Sequence, residues 1–312
     1  MGELSNKIGK DGEKIIEKLF KDFLGFPDYR DNINIDCISK EEHLALRDNK
    51  SNTHGIDGLV SYKTPLDEET LEFGFVSVKH SKNPYPKYPR GTFKKYFIDL
   101  ATGIECFKFS GIINEIQTNT KNVKRTRIIG VLFWFSSHED SIGTDILDEL
   151  SKSQLESLQL QFDEIIVVDS ARLQFMIQSL ERIKLLSNNS YQFVYPSTGL
   201  NYNAQHNENF GNIMPMEFFA YGILPLRYEK NGSIIFNLAC RESISEESLI
   251  QVMSLAKNFD KLQATQQIII TFPDYNYQDH QDIISKVKSY FDDQKFTSQI
   301  SIEGQGPDFR NL

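Results

Sequence analysis

The run RIIGVLFWFS, residues 127–136, constrains the fold of this 312-residue chain more than any other stretch. It is almost wholly apolar, far short of the roughly 18 residues a membrane span needs, and rich in the β-branched and aromatic residues that suit a strand. A strand that is apolar on both sides is covered on both sides, so helices must lie above and below the sheet that holds it. A strand of this kind fits an α/β class, which the order of the remaining elements then supports.

The neighbouring patterns agree. Residues 7–24, KIGKDGEKIIEKLFKDFL, place Ile8, Ile15, Ile16, Leu19, Phe20, Phe23 and Leu24 at helical spacing and stop at Gly25 and Pro27. NINIDCI (32–38) alternates as a strand does, and SKEEHLALRDNKSNT after it reads as a loop or short helix. HGIDGLVSY (54–62) and LEFGFVSVKH (71–80) are two further strands, joined across Pro65 as a hairpin. Helical spacing predicts a helix over most of 92–116, another over about 143–160 and a third from Ser170 to about Leu186, with the strand EIIVVD at 164–169. These elements form the first expected domain, residues 1–186, built on a mixed central sheet.

From Ser187 to Asn212 the sequence turns to Asn, Ser and Tyr without apolar period, which marks a linker over 187–212. Beyond it, residues 213–312 read as a smaller α/β accessory domain. It begins with a hairpin, LPLRYEKNGSIIFNLAC, turned at Asn231-Gly232. Helices over about 246–262 and 278–293 and strands at 266–272 and 297–303 follow. No nucleophile–base spacing, phosphate loop or metal-ligand spacing stands out in it.

Composition bounds the setting. With 39% hydrophobic and 25% charged residues, the chain is expected to be soluble and, lacking a leader-like apolar block after Met1, cytoplasmic. Cys37, Cys106 and Cys240 are far apart and show no CxxC pair, which argues against a disulfide framework and a zinc–thiolate site. Net charge is −9, unfavourable for holding nucleic acid, but its distribution is uneven. Lys79, Lys82, Lys87, Arg90, Lys94 and Lys95 occur without an intervening acid, interleaved with Tyr85, Tyr88, Phe93, Tyr96 and Phe97. A second basic cluster, KNVKRTR, covers 121–127. Either is a nucleic-acid surface or a solvated lysine-rich loop.

The chemistry is concentrated at 54–83. Alternate residues of a strand share a face, so Ser77 and Lys79 point one way and the Val78 side chain the other, leaving the Val78 carbonyl available to a metal. If Asp57 lies across the hairpin, a carboxylate, a carbonyl and a lysine meet at one place. Oxygen ligands of this kind hold a hard cation against a phosphate, and the lysine orients or activates the attacking water.

With these residues the chain resembles the PD-(D/E)XK nuclease superfamily, of restriction-endonuclease-like fold. The matched elements are Glu13 in GKDGEKIIEKLF, Asp57 in HGIDGLV, Lys79 in FVSVKHS, and the helix that follows. More narrowly it is similar to Mrr-like and antiphage-defence members that join a nuclease domain to a partner- or DNA-binding domain. The resemblance implies Mg²⁺- or Mn²⁺-dependent DNA endonuclease activity in defence against phage or foreign DNA. The net charge of −9 in turn points to a homo-oligomer, or a hetero-complex through the C-terminal domain, that supplies the missing positive surface. Asp57, Glu105, Glu13 and the Val78 carbonyl are the expected metal ligands, and Lys79 the catalytic cation. Lys82, Lys87, Arg90, Lys94 and Lys95 are the expected DNA contacts. The chain departs from the family at Ser77, where an acid is usual; a serine hydroxyl can bond a metal-bound water but brings no charge. Either Glu105, on the following helix, or Glu13, on the first, is the expected replacement, with Glu105 taken as the principal carboxylate beside Asp57. A catalytically inactive nucleic-acid-binding or interaction protein on the same fold is the alternative.

Overall fold

The computed structural model describes residues 2–47, 51–153, 155, 158–201, 209–259 and 265–305, and side chains from residue 7 onward. The chain divides into two compact units. The first comprises Met1–Gln174 and Pro215–Ala220; the second comprises Phe175–Met214 and Tyr221–Leu312.

In the first unit the elements are helix α1 (Gly2–Asp22), strand β1 (Arg30–Asp36), helix α2 (Lys40–Leu46), and strands β2 (Thr53–Lys63) and β3 (Thr70–Ser81). Helices α3 (Pro89–Phe107) and α4 (Gly111–Asn119), strand β4 (Arg125–Ser136), helix α5 (Leu147–Ser151) and strand β5 (Glu164–Val168) follow, and helix α6 (Ser170–Leu186) begins in this unit. The five strands form one sheet in the order β1-β2-β3-β4-β5. β1, β2 and β3 pair antiparallel, and β3, β4 and β5 pair parallel. This is the mixed sheet expected. The run at 127–136 is β4, and Ile128 through Ser136 are buried on both faces as its composition requires.

Two helices matter for the site. α1 buries Ile16, Leu19, Phe20 and Leu24, each worth roughly 1.5–3 kcal/mol relative to exposure. It lies on β3 and β2. α3 lies on the other side-chain set of the same strands: Phe93, Phe97, Leu100, Ala101 and Ile104 share a core with Phe73 and Phe75 of β3 and Leu132 and Trp134 of β4. The strand alternation therefore assigns Ser77 and Lys79 to the α3 side and Val78 and His80 to the α1 side.

Two helices are shorter than the sequence predicts. The helix expected over 92–116 is interrupted after Phe107. Ser110 starts α4 as its N-cap, its hydroxyl accepting from the Ile113 N–H at 3.5 Å. The helix expected over 143–160 is confined to Leu147–Ser151. Leu158, Leu160 and Phe162 recur at every second residue rather than at helical spacing, and all three pack on the core from non-helical chain. Residues 154, 156 and 157 of that stretch lie outside the described residues.

The second unit contains strands β6 (Tyr191–Val194), β7 (Phe210–Gly211), β8 (Ile223–Lys230) and β9 (Ser233–Cys240), helix α7 (Glu246–Phe259), strand β10 (Gln267–Phe272), helices α8 (Tyr277–Ser289) and α9 (Gln294–Gln299), and strand β11 (Ile300–Gly304). Its sheet has the order β11-β10-β9-β8-β6-β7. The hairpin β8–β9 turns at Asn231 and Gly232, both at positive φ (54° and 76°), as a two-residue type I′ turn requires. The 187–212 stretch, expected as a linker, supplies β6 and β7 to this sheet; residues 202–208 of it lie outside the described residues. The helix expected to run to 293 ends at Ser289, and the strand expected from 297 starts only at Ile300, because a further short helix, α9, intervenes, Asp293 capping it through the Phe296 N–H at 3.0 Å.

Candidate active site

The site exists because two strands part. β2 and β3 stay paired only as far as Gly58 opposite Val76. From there β2 runs on with β1 to Thr53, while β3 runs on with β4 to Ser81. The parting frees backbone groups that a ladder would have satisfied, and the Asp57 carboxylate takes one of them. Its Oδ2 accepts the Val78 N–H at 2.6 Å and the Ser77 hydroxyl at 3.3 Å. Asp57 and the Ser77–Lys79 segment thus meet across the hairpin, as the sequence predicts. Ser77, buried, holds Asp57 in orientation and brings no charge of its own.

Glycine at 58 is a steric requirement. A Cβ there would meet the Tyr29 hydroxyl at 1.8 Å, and the same hydroxyl donates to the Asp57 carbonyl at 3.5 Å. Tyr29 thus braces the strand at the residue before Gly58.

Glu13 comes to this site from α1. Its carboxyl is raised above the ordinary glutamate range, first by burial and then by the charge of Asp57, with Lys10 and Lys79 pulling the other way. A carboxyl whose charge is disfavoured in this way, near a second carboxylate and a lysine, belongs to a hard-oxygen donor set suited to a divalent cation. The helix can bring Glu13 there because Gly12 lets α1 lie directly on β3. A Cβ on Gly12 would sit 2.4 Å from His80 Cβ. His80 in turn clamps the helix: its Nδ1 is 2.9 Å from the Ile8 carbonyl, its Nε2 is 3.2 Å from the Ser137 hydroxyl, and its ring stacks on Phe135 at 4.7 Å.

Lys79 is one-quarter exposed and held by α3. Its Nζ lies 3.6 Å from Asp99 Oδ2 and 5.7 Å from the centre of the Tyr96 ring. Asp99 also binds Arg47 at 3.2 Å. The acid that α3 presents to Lys79 is therefore Asp99. Glu105, expected in that place, lies six residues further along α3, about 9 Å along the axis. Its carboxylate is engaged with His43 Nε2 at 3.3 Å. Asp99 was missed because it sits at the end of the basic aromatic segment, where it reads as the first acid after a cluster. Its helical spacing from Lys79 cannot be counted across a loop.

That engagement reveals a second group of side chains. Cys37, His43, His54 and Cys106, all buried, bring one donor atom each within 4.8 Å of the others. Sequence distance had separated the cysteines; the fold joins two of them. Cys240 lies in the second unit.

The basic aromatic segment is only in part an open surface. Lys82, Lys87, Lys95 and Tyr88 are exposed, Tyr88 at 79%, with Lys87 Nζ 5.6 Å from the Tyr88 ring centre. Lys94 is half-buried, and Arg90 is paired with Glu149 at 3.0 Å. Tyr85 and Tyr96 are structural instead. Both meet Trp134 edge-on, and Tyr85 donates its hydroxyl to the Trp134 carbonyl at 2.8 Å, with burial pushing its phenol up to about 12. Three of the four basic residues of the second cluster are paired with acids. Lys124 binds Glu69 at 2.6 Å, and Arg125 binds both oxygens of Asp67 at 2.7 Å. Arg127 reaches Glu217 at 2.6 Å as well as Glu164 and the fully buried Glu72.

Comparison with known proteins adds one match. The family described as the GAPS4 protein PD-(D/E)XK nuclease domain fits residues 1–172. No curated protein and no solved structure matches the chain.

Proposed function

We propose, from the premise that this chain belongs to the family of GAPS4 PD-(D/E)XK nuclease domains, that it hydrolyses DNA phosphodiester bonds with a divalent cation, Mg²⁺ or Mn²⁺. The observation that carries this reading is the Asp57 carboxylate held on the Val78 N–H next to Lys79 where β2 and β3 part, with Glu13 close enough to feel the charge of both Asp57 and Lys79. Asp57 and Glu13 are the carboxylates that would hold the cation, with the Val78 carbonyl beside them. Glu105, occupied by His43, is not needed for that shell. When bound, the cation polarises a phosphate oxygen and makes a bound water more acidic.

The chain's own residues do the rest. Ser77 and the Val78 N–H keep Asp57 from rotating away. Asp99 and the Tyr96 ring hold Lys79 Nζ, so the ammonium approaches the phosphate from a fixed direction, orients the attacking water and offsets charge on the five-coordinate phosphorus. Lys82, Lys87 and Lys95, with Tyr88, lie just beyond Lys79 in the chain, exposed for contact with the phosphodiester backbone. The overall charge of −9 makes the remaining surface a poor DNA ligand, which supports assembly with a second copy or a partner subunit. Defence against phage or foreign DNA follows from the resemblance to defence-associated members of the superfamily.

One observation favours a second reading, a nucleic-acid-binding protein on a silent nuclease fold: Ser77 stands where an acid is usual and serves only as a donor to Asp57. Plasmid and linear DNA incubated with the protein and Mg²⁺ or Mn²⁺ separate the two. Cleavage lost by at least about 100-fold in Lys79→Ala and Asp57→Asn, with salt-sensitive DNA binding retained, supports the nuclease. Cleavage that persists in Lys79→Ala overturns the site.

A further inference from the structure

Cys37 just after β1, His43 on α2, His54 on β2 and Cys106 on α3 come from four separate pieces of chain, and none has a part in the reaction described above. Their donor atoms form a compact set, each within 4.8 Å of the rest, and all four residues are buried. Cys37 Sγ lies 3.3 Å and Cys106 Sγ 3.4 Å from the same nitrogen, His43 Nδ1. A tetrahedral ion with sulfur at about 2.3 Å and nitrogen at about 2.0 Å needs S···N edges of about 3.5 Å. The spacing already present is that of a four-ligand shell.

Hydrogen bonding links Cys37 and Cys106 to His43 but leaves out the fourth member of the cluster. His54 is 2% exposed, and neither of its ring nitrogens has a hydrogen-bond partner. A buried imidazole with both nitrogens orphaned is costly unless another ligand satisfies it. Its ring stands perpendicular to that of His43 with centres 5.5 Å apart. His43 is oriented from behind: Nε2 faces the Glu105 carboxylate at 3.3 Å, which assigns the proton to that nitrogen and leaves the lone pair of Nδ1 toward the two sulfurs. A carboxylate behind a histidine in this way is the usual support of a metal-bound imidazole. The Ile38 N–H points at Cys106 Sγ at 3.5 Å, a donor suited to a thiolate.

We propose that Cys37, His43, His54 and Cys106 bind one Zn²⁺ as a closed structural site, with Glu105 positioning His43. Two thiolates and two neutral imidazoles in a tetrahedral arrangement select zinc over the oxygen-seeking cations of the nuclease site, and four protein ligands leave no open position for a reacting group. The ion would join β1, α2, β2 and α3 into one unit. His54 lies three residues before Asp57 on β2, and Cys106 lies on the helix that carries Asp99. The site would therefore set the relation between the strand bearing Asp57 and the helix that holds Lys79.

Elemental analysis of the full chain, purified with reductant and desalted, tests this. The expected result is about one zinc per chain, kept in Asp57→Asn and falling to near zero in His54→Ala and Cys106→Ser. Glu105→Gln should keep the ion but release it to a chelator at roughly 10- to 100-fold lower concentration. Where a ligand variant fails to fold, wild-type protein refilled with Co²⁺ still decides: thiolate-to-cobalt absorption in the near ultraviolet supports the site. Less than about a tenth of a zinc per chain in wild-type protein, both as purified and after refilling with Zn²⁺ under reductant, overturns it. So does zinc content unchanged by His54→Ala, or a Cys37–Cys106 disulfide in metal-free native protein.

Discussion

Replacing Gly12 by alanine tests the packing that delivers Glu13 to the site. The added methyl would lie 2.4 Å from His80 Cβ, where carbon atoms at rest are about 3.5–4.0 Å apart. His80 cannot swing aside, because the clash is with Cβ itself and its ring is held by the Ile8 carbonyl, the Ser137 hydroxyl and Phe135. Helix α1 must therefore rise by about 1 Å, an overpacking strain of about 1–3 kcal/mol. In a domain of this size each kcal/mol moves Tm by about 2–4 °C, so a melt roughly 2–12 °C below that of Gly9→Ala, which shares the helix-propensity gain, is expected. A shift of about 1 Å in Glu13 should also lower plasmid cleavage on the order of 100-fold. Gly9→Ala is the matched control, since nothing lies within 4 Å of its added methyl. Helix propensity alone should stabilise that variant, by up to about 1 kcal/mol. Equal melting temperatures for the two variants would refute the packing argument, and a lowered melt with unimpaired cleavage would remove Glu13 from the reaction.

Three other outcomes are expected. The buried Glu72 carboxyl is pushed up to about 8 by burial and by Glu217, against 4.5 for the free group. The folded state then binds more protons than the unfolded between those values, so this residue's contribution to stability falls as pH rises from about 4.5 to about 8 and levels off above. Urea midpoints between pH 5 and 8 should slope downward less in Glu72→Gln than in the wild type, and identical slopes would count against the shift. Binding of duplex DNA followed against salt should lose about one unit of log–log slope in Lys87→Ala and almost none in Lys124→Ala, whose charge is already paired with Glu69. Ser110→Ala removes the hydroxyl that caps α4 and should cost about 1 kcal/mol in denaturant unfolding without altering DNA affinity.

The parts of this protein legible in its sequence are those governed by local periodicity. The apolar run at 127–136 required a covered strand, and the alternation in 71–80 put Ser77 and Lys79 on one face. The Asn231-Gly232 pair required a tight hairpin. Asp57 and Lys79 could be joined on paper because one hairpin of known register separates them. Where the apolar spacing was ambiguous, in 143–160, the sequence misled: Leu158, Leu160 and Phe162 follow a period of two within a stretch that also fits a helix.

The rest depends on contacts between elements that no local period encodes. Whether Asp99 or Glu105 meets Lys79 is decided by how far α3 has slid along β3 and β4, a matter of Phe93, Phe97 and Leu100 settling against Phe75 and Trp134. The two acids are six residues apart on one helix, and an axial shift of about 9 Å would exchange them. Helix α1, which brings Glu13 within the field of Asp57, lies close on β3 because glycine at 12 permits the approach to His80. Cys37 and Cys106, 69 positions apart in the numbering, share a nitrogen of His43 once the sheet and α3 have packed. Sequence by itself determined the strands and helices with a clear apolar period and which short hairpin bears Asp57 and Lys79, because backbone geometry repeats over two or 3.6 residues. Tertiary structure alone decided which carboxylates and thiols meet, because those meetings are set by the packing of side chains between elements distant along the chain.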